Sequence, residues 1–371
     1  RHPQESVGDI WEGRWGPGDG GLLLLTHLDT VHPLGTLARF RFAERDGRLF
    51  GPGVLDMKAS FAIGLAAIAF ATRFPDATIV ALEPNTVTLD RPLEFPHLGS
   101  GEFRSEVANL SRNVIVESAE PEGVRGHTVY HRFSRGGISN ARFASLGKEG
   151  VLGRYPIHYH LVGDTMRGSS VSGTAIVDSH NRWITIHGTQ FLVVRDCVGY
   201  QSVGHGFFME DGTEVYNLLD HNLGVHAYAG KRLPKQVLSF DENDGAAFWW
   251  ANGINTLTRN VGVESDQYGF RYDIKKSSAF DSHLPILQPD GNVKTLDVRT
   301  LPIWRFEDNE AHGNFAGMVV AANGDHQPDT GITDEKMLEA IRRVDWTGPD
   351  RQHPHVIRNL KIWESHYAFR P

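Results

Sequence analysis

The chain has 371 residues, 40% hydrophobic and 22% charged, a globular composition for one large domain or two average ones rather than a disordered chain. Lys and Arg number 37 against 45 Asp and Glu, a net charge of −8, so no bulk basic field recruits nucleic acid or anionic lipid. No apolar run reaches the roughly 20 residues that span a bilayer, and one cysteine, Cys197, excludes an intrachain disulfide and a cysteine-based zinc knuckle.

Residues 22–31 form a continuous apolar run closing on polar groups, as a strand buried on both faces of a parallel sheet does, with His27 and Asp29 at its C-terminal edge. Residues 39–50 alternate as a hairpin and close at Gly51-Pro52-Gly53. Residues 57–73 are Ala-rich with helical spacing, and residues 78–82 read as a short strand. This is a small α/β segment over residues 1–84. From Asn85 onward, helix-forming runs give way to short strand-like segments separated by Gly, Asn and Asp turns, and an all-β domain over 85–371 is predicted.

The all-β part repeats itself. Ser179 to His187 aligns with Ser202 to Glu210 at an offset of about 23 residues, and Cys197 to Glu210 aligns with Asn260 to Asp273 at about 63. Weaker echoes start at Asn222, Asn309 and Asn359. A period of twenty-odd residues with short strands and an Asn or Asp turn is what one coil of a parallel β-helix needs. The last echo lies close to Pro371, so the C-terminal cap is expected to be either minimal or lost.

Each piece carries candidate chemistry. In the first, His27 and Asp56 are residue types suited to zinc, and Asp29 is placed to orient His27. In the second, alternation along a strand turns Ile157 and Tyr159 inward and His158 and His160 outward. With coils about 4.8 Å apart, His160, His187 and Glu210 stack into an external column, with Thr185 and Phe208 in the next column and His158, His205 and Asp211 close by. Two imidazoles and a carboxylate in register can hold a divalent metal, zinc or calcium, or supply the acid and base for cleaving a glycosidic bond. His158, His160, His187 and Glu210 are the candidate ligands, and His160, His187 and Glu210 the candidate catalytic set. Trp249 and Trp250 either stack on sugar rings or pack the core. Arg154, Arg182 and Arg271, with Asp273, either meet substrate carboxylates or bridge coils to Asp turns.

These residues carry two resemblances. Residues 25–31 and 51–58 resemble the co-catalytic zinc peptidases of the glutamate-carboxypeptidase and aminoacylase family, over about residues 20–84. The resemblance implies metal-ligand roles for His27 and Asp56, and a later ligand at Glu83. The family's Glu-Glu pair does not come after the helix here, nor is its C-terminal histidine ligand visible, so this site is expected to be vestigial. Residues 85–93 and 106–114, then 153–164, 186–189 and 204–212, resemble the cell-migration-inducing hyaluronan-binding protein family, which shares its β-helix motifs with fibrocystin-like proteins. That resemblance covers about residues 85–320 and implies a right-handed parallel β-helix, an acidic polysaccharide such as hyaluronan as partner, and a secreted or periplasmic location. The chain thus reads as a chimera joined near Pro84-Asn85. Three functions are consistent with this: a glycosidase or lyase on an acidic polysaccharide, a metal-dependent amide or ester hydrolase using the first piece, or a noncatalytic glycan-binding solenoid.

Overall fold

A computed structural model describes residues 43–45, 48–50, 79–83, 86–92, 101–274, 279–321 and 355–370. The chain divides into two compact units, Arg1–Ser105 and Glu106–Pro371. In the first, Ala43–Arg45 pairs antiparallel with Arg48–Phe50, matching the expected hairpin, and Ile79–Glu83 pairs antiparallel with Thr86–Leu89. The two paired strands lie on either side of the expected join near Pro84-Asn85, so strand pairing runs across it. His27, Asp56, the apolar strand over 22–31 and the helix over 57–73 lie outside the described residues.

The second unit is a right-handed parallel β-helix. Three sheets of seven, eight and eight strands run its length, each coil after the first contributing a strand to each sheet. Every pairing within these sheets is parallel, and the handedness is the one that twisted strands impose on parallel crossovers. The offset of 23 is a true register, Ser179 lying beside Ser202 and Ile184 beside Phe207. The offset of 63 spans two coils, with Leu223 between Val198 and Val261. After residue 274 the chain leaves the solenoid for an antiparallel hairpin, His283–Leu287 with Val293–Asp297, then rejoins it at Arg305–Glu307. A further coil is formed by Ile357–Arg358, Lys361–Trp363 and Tyr367–Arg370.

The corners reflect backbone chemistry. Between the first and second sheets, Asn140, Gly173, Asp196, His221, Arg259, Asp308 and Asn359 all take a positive φ, so the chain turns on one left-handed residue per coil. Buried Asn222, Asn260 and Asn309 come directly after three of these and form a ladder. Asn260 Nδ2 donates to Asn309 Oδ1 at 3.1 Å, while Asn260 Oδ1 accepts from Asn222 Nδ2 at 2.9 Å. Backbone groups at the bend that no strand can pair are satisfied by these amides, as when Asn260 Nδ2 reaches Leu219 O. Inside the coil Ile157, Ile184, Phe207, Phe248 and Phe270 form one column, its phenylalanine rings 4.9 and 5.0 Å apart.

Candidate polysaccharide and metal site

The outer face of the third sheet carries the site. The strand Ile157–Gly163 lies between Thr128–His131 and Ile184–Thr189, with His160 paired to both His131 and His187. Met209 pairs with Ile186, so Glu210 takes the next place in that column. The expected column His160, His187, Glu210 is therefore present, and His131 extends it by one coil. The neighbouring column runs His158, Thr185, Phe208, Trp249, Arg271.

This face is outward but largely covered. His158 is 3% exposed and Glu210 4%, while His160 and His187 are half-buried and His131 is exposed, so the cluster opens at the His131 end. The cover includes the insertion over 229–245, which buries Leu233, Leu238 and Asp241. His187 is clamped by two carboxylates, Nδ1 lying 3.1 Å from Glu210 Oε2 and Nε2 3.2 Å from Asp211 Oδ2. Burial opposes its protonation, but hydrogen bonds to Asp211 and Glu210 outweigh burial and raise its pKa to about 10. His158 goes the other way. Burial lowers its pKa to about 3, and the same cause, with the charge of His187, lowers that of His160. Both are neutral at pH 7, and His158 Nε2 and His160 Nδ1 have no hydrogen-bond partner. Ligand atoms of His158, His160 and His187 lie within 4.8 Å of one another.

Behind the histidines sits a buried charge network. Glu210 Oε1 accepts from the Tyr155 hydroxyl at 2.9 Å and from Arg182 NH1 at 3.3 Å. Arg182 NH2 donates to Asp241 Oδ2 at 2.9 Å, and its guanidinium lies 3.6 Å over the Phe208 ring. His205 Nδ1 accepts from the Ala246 N–H, so its proton is on Nε2, which donates to Asp241 Oδ1 at 2.9 Å. Burial pushes the Glu210 carboxyl up, but the His187 hydrogen bond and the Arg182 charge hold it below its ordinary value. It is a fixed anion at neutral pH and not a proton donor. Glu214 accepts from the N–H groups of Gly188 at 2.8 Å and Gly212 at 2.9 Å, fixing the backbone beside His187 and Asp211.

Several expected substrate contacts are corrected by burial. Trp249 and Trp250 are 2% and 1% exposed: Trp249 stacks on Phe208 and His205, and Trp250 fills the coil interior against Phe306. Neither presents a face to a sugar. Arg182 is fully buried and pairs with Glu210 and Asp241, so it meets no substrate carboxylate. Asp273, 1% exposed, binds Arg271 at 2.7 Å, away from the histidines along the coil axis. Arg154 is exposed and lies 2.5 Å from His127 Nε2. Glu83 is in the first unit's hairpin. Sequence reasoning missed Tyr155, Asp241 and Glu214 as parts of the network, and His131 as its open end. Extending the column back one coil finds His131; no periodic signal marks Asp241, which lies in an insertion.

A family model described as CEMIP beta-helix matches residues 123–318, more than half of the chain. The chain belongs to this family. A second model, peptidase family M20/M25/M40, matches residues 23–83, so the two resemblances sit in one chain. The chain is similar to a cell surface hyaluronidase of Danio rerio, 30% identical over 272 residues, covering 61% of this chain and 19% of the relative. It is similar to communication mutant protein F of Dictyostelium discoideum, 30% identical over 254 residues, covering 64% and 22%. The human cell migration-inducing and hyaluronan-binding protein is 27% identical over 304 residues, covering 70% and 22%. The chain spans about a fifth of the length of these relatives. Among the described residues no helix is long and apolar enough to cross a membrane.

Proposed function

We propose that this CEMIP-type β-helix binds an acidic polysaccharide of the hyaluronan kind at the histidine column, outside the cell, and depolymerises it with a divalent metal held there. Two of the similar proteins are named for hyaluronan, as its hyaluronidase or its binder. The observation that carries the metal is the pair of neutral imidazoles, His158 and His160, whose orphaned nitrogens face His187 and Glu210. Three imidazoles favour zinc over calcium, which takes oxygen ligands. His158, His160 and His187 would hold such an ion through their ring nitrogens, and His187 would have to give up the proton it shares with its carboxylates to do so. Bound there, it would act as a Lewis acid on a glycosidic or carboxylate oxygen. Arg182 and Tyr155 keep Glu210 anionic and oriented, and Asp211 and Glu214 fix His187.

His160→Ala is the sharpest test. His160 Nδ1 has no partner and the ring is half-buried, so truncation removes a ligand without breaking a hydrogen bond at that atom. Purified wild-type chain should carry or take up zinc and shorten hyaluronan, read by metal analysis and by polymer size. The variant should lose both while melting within a few degrees of wild type. Equal zinc uptake and equal hyaluronan shortening by the variant would reject the site.

A further inference from the structure

Trp249 and Trp250 are buried, but a partly exposed aromatic stripe lies at the corner after the histidine strand. Phe191 and Tyr216 occupy neighbouring coils, with rings stacked at 5.0 Å and 19°. Trp304 stands against Tyr216 edge to face at 5.2 Å, and Arg167 caps the other end with its guanidinium 3.3 Å over Phe191. Phe191 lies four positions beyond His187, so one end of this stripe is on the coil that carries His187. Three features mark it as built. Phe191 and Tyr216 hold φ of +61° and +60°, a conformation that bulky side chains avoid. The Tyr216 hydroxyl is pinned to Leu287 O at 3.1 Å, and the backbone N–H of Trp304 donates to Gly253 O at 2.8 Å. Trp304 is 55% exposed, so its indole cannot be covered on both faces.

We infer that Arg167, Phe191, Tyr216 and Trp304 form a secondary subsite for an acidic oligosaccharide, Trp304 stacking on the apolar face of a sugar ring and Arg167 meeting a uronate carboxylate. The chemistry selects this occupant. A stripe one ring wide suits a linear glycan chain rather than a protein surface, and a cation at its end complements an acidic sugar. Among the described residues the carboxylate recorded beside Arg167 is Asp164, 3.9 Å away and beyond hydrogen-bond reach, so the guanidinium can take a bidentate partner. The stripe lengthens the site along the coil axis and sets a minimum ligand length.

The inference rests on the polysaccharide reading, and the test separates the two. Short and long hyaluronan oligosaccharides are titrated into wild type, Trp304→Ala, Trp304→Phe, Arg167→Gln and His160→Ala, with binding read by calorimetry and tryptophan emission. Trp304→Ala should weaken the long oligosaccharide about tenfold, the loss of roughly one aromatic stack, and leave zinc uptake unchanged. Trp304→Phe should retain most of the affinity while losing the emission change, and Arg167→Gln should weaken acidic but not carboxyl-reduced chains. Wild-type affinity in Trp304→Ala, with binding lost in His160→Ala, overturns the stripe alone. Weakening in Trp304→Ala with none in His160→Ala supports the stripe and overturns the histidine site. No binding by wild type overturns both.

Discussion

Arg182, Asp241 and His205 form a buried unit in which Asp241 partners both the guanidinium and the imidazole. Burial drives the Asp241 carboxyl up, yet the His205 bond and the Arg182 charge hold it at about 2, below its ordinary 3.8. A carboxyl with a depressed folded pKa stabilises the fold above its unfolded value, and that contribution disappears as pH falls from about 4 through about 2. Asp241→Asn leaves Arg182 buried with Glu210 as its remaining carboxylate, a change expected to cost about 3–5 kcal/mol at pH 7. Thermal melts should show a gap of several degrees between variant and wild type at pH 7 that narrows between pH 4 and pH 2. A gap independent of pH would mean that Asp241 acts through packing alone. The His160, His187, Glu210 register was legible from strand alternation and the twenty-odd-residue coil period, because a parallel ladder preserves strand position. Asp241 was not, because it reaches the network from an insertion whose path no periodicity describes.

One indole sits against three glycines from two successive coils. Trp183 is fully buried, and Gly199, Gly206 and Gly224 leave room for its ring; a Cβ at Gly206 would overlap both that ring and the Ala247 carbonyl. Gly206→Ala should therefore destabilise by about 3 kcal/mol or more. Gly224→Ala should cost less, since its nearest atom is a ring carbon at 2.9 Å. Chemical denaturation of the two variants should return that order. The asparagine ladder makes a matching claim about the corner. Asn260→Leu removes the donor to Leu219 O and Asn309 and the acceptor for Asn222, leaving buried backbone groups unpaired at about 1–3 kcal/mol each. A denaturation midpoint unchanged from wild type would show that water replaces the amide. The sequence displayed these asparagines as repeat markers, but their bonding to one another required the coils to be stacked.

At the scale of the whole chain, a parallel solenoid bonds each coil only to its neighbours, so stability is distributed along an axis. Hydrogen exchange should be slowest in the central coils, where Ile157, Trp183, Phe248 and Phe270 are fully enclosed, and faster in Tyr367–Arg370, whose four residues are exposed. The peptidase-like match ends at residue 83, and no adjacent pair of glutamates occurs anywhere in the chain to supply the base that activates a zinc-bound water. Added zinc should therefore yield no robust turnover of acyl-amino acids; turnover that vanishes in Asp56→Ala would restore the first piece as an enzyme.

The residues in order were enough to determine a parallel β-helix, its register and the outward column of histidines, because strand alternation and coil period are local properties repeated at fixed spacing. Only the tertiary structure decided which outward residues reach solvent. Alternation tells which side of a strand a residue takes, while cover comes from insertions distant in sequence. The segment over 229–245 supplies Asp241 against Arg182 and His205, removing that arginine from solvent. Trp249 is likewise buried, stacked on Phe208 and His205, whereas Trp304, at the edge of an excursion and without a repeat to mark it, stands exposed.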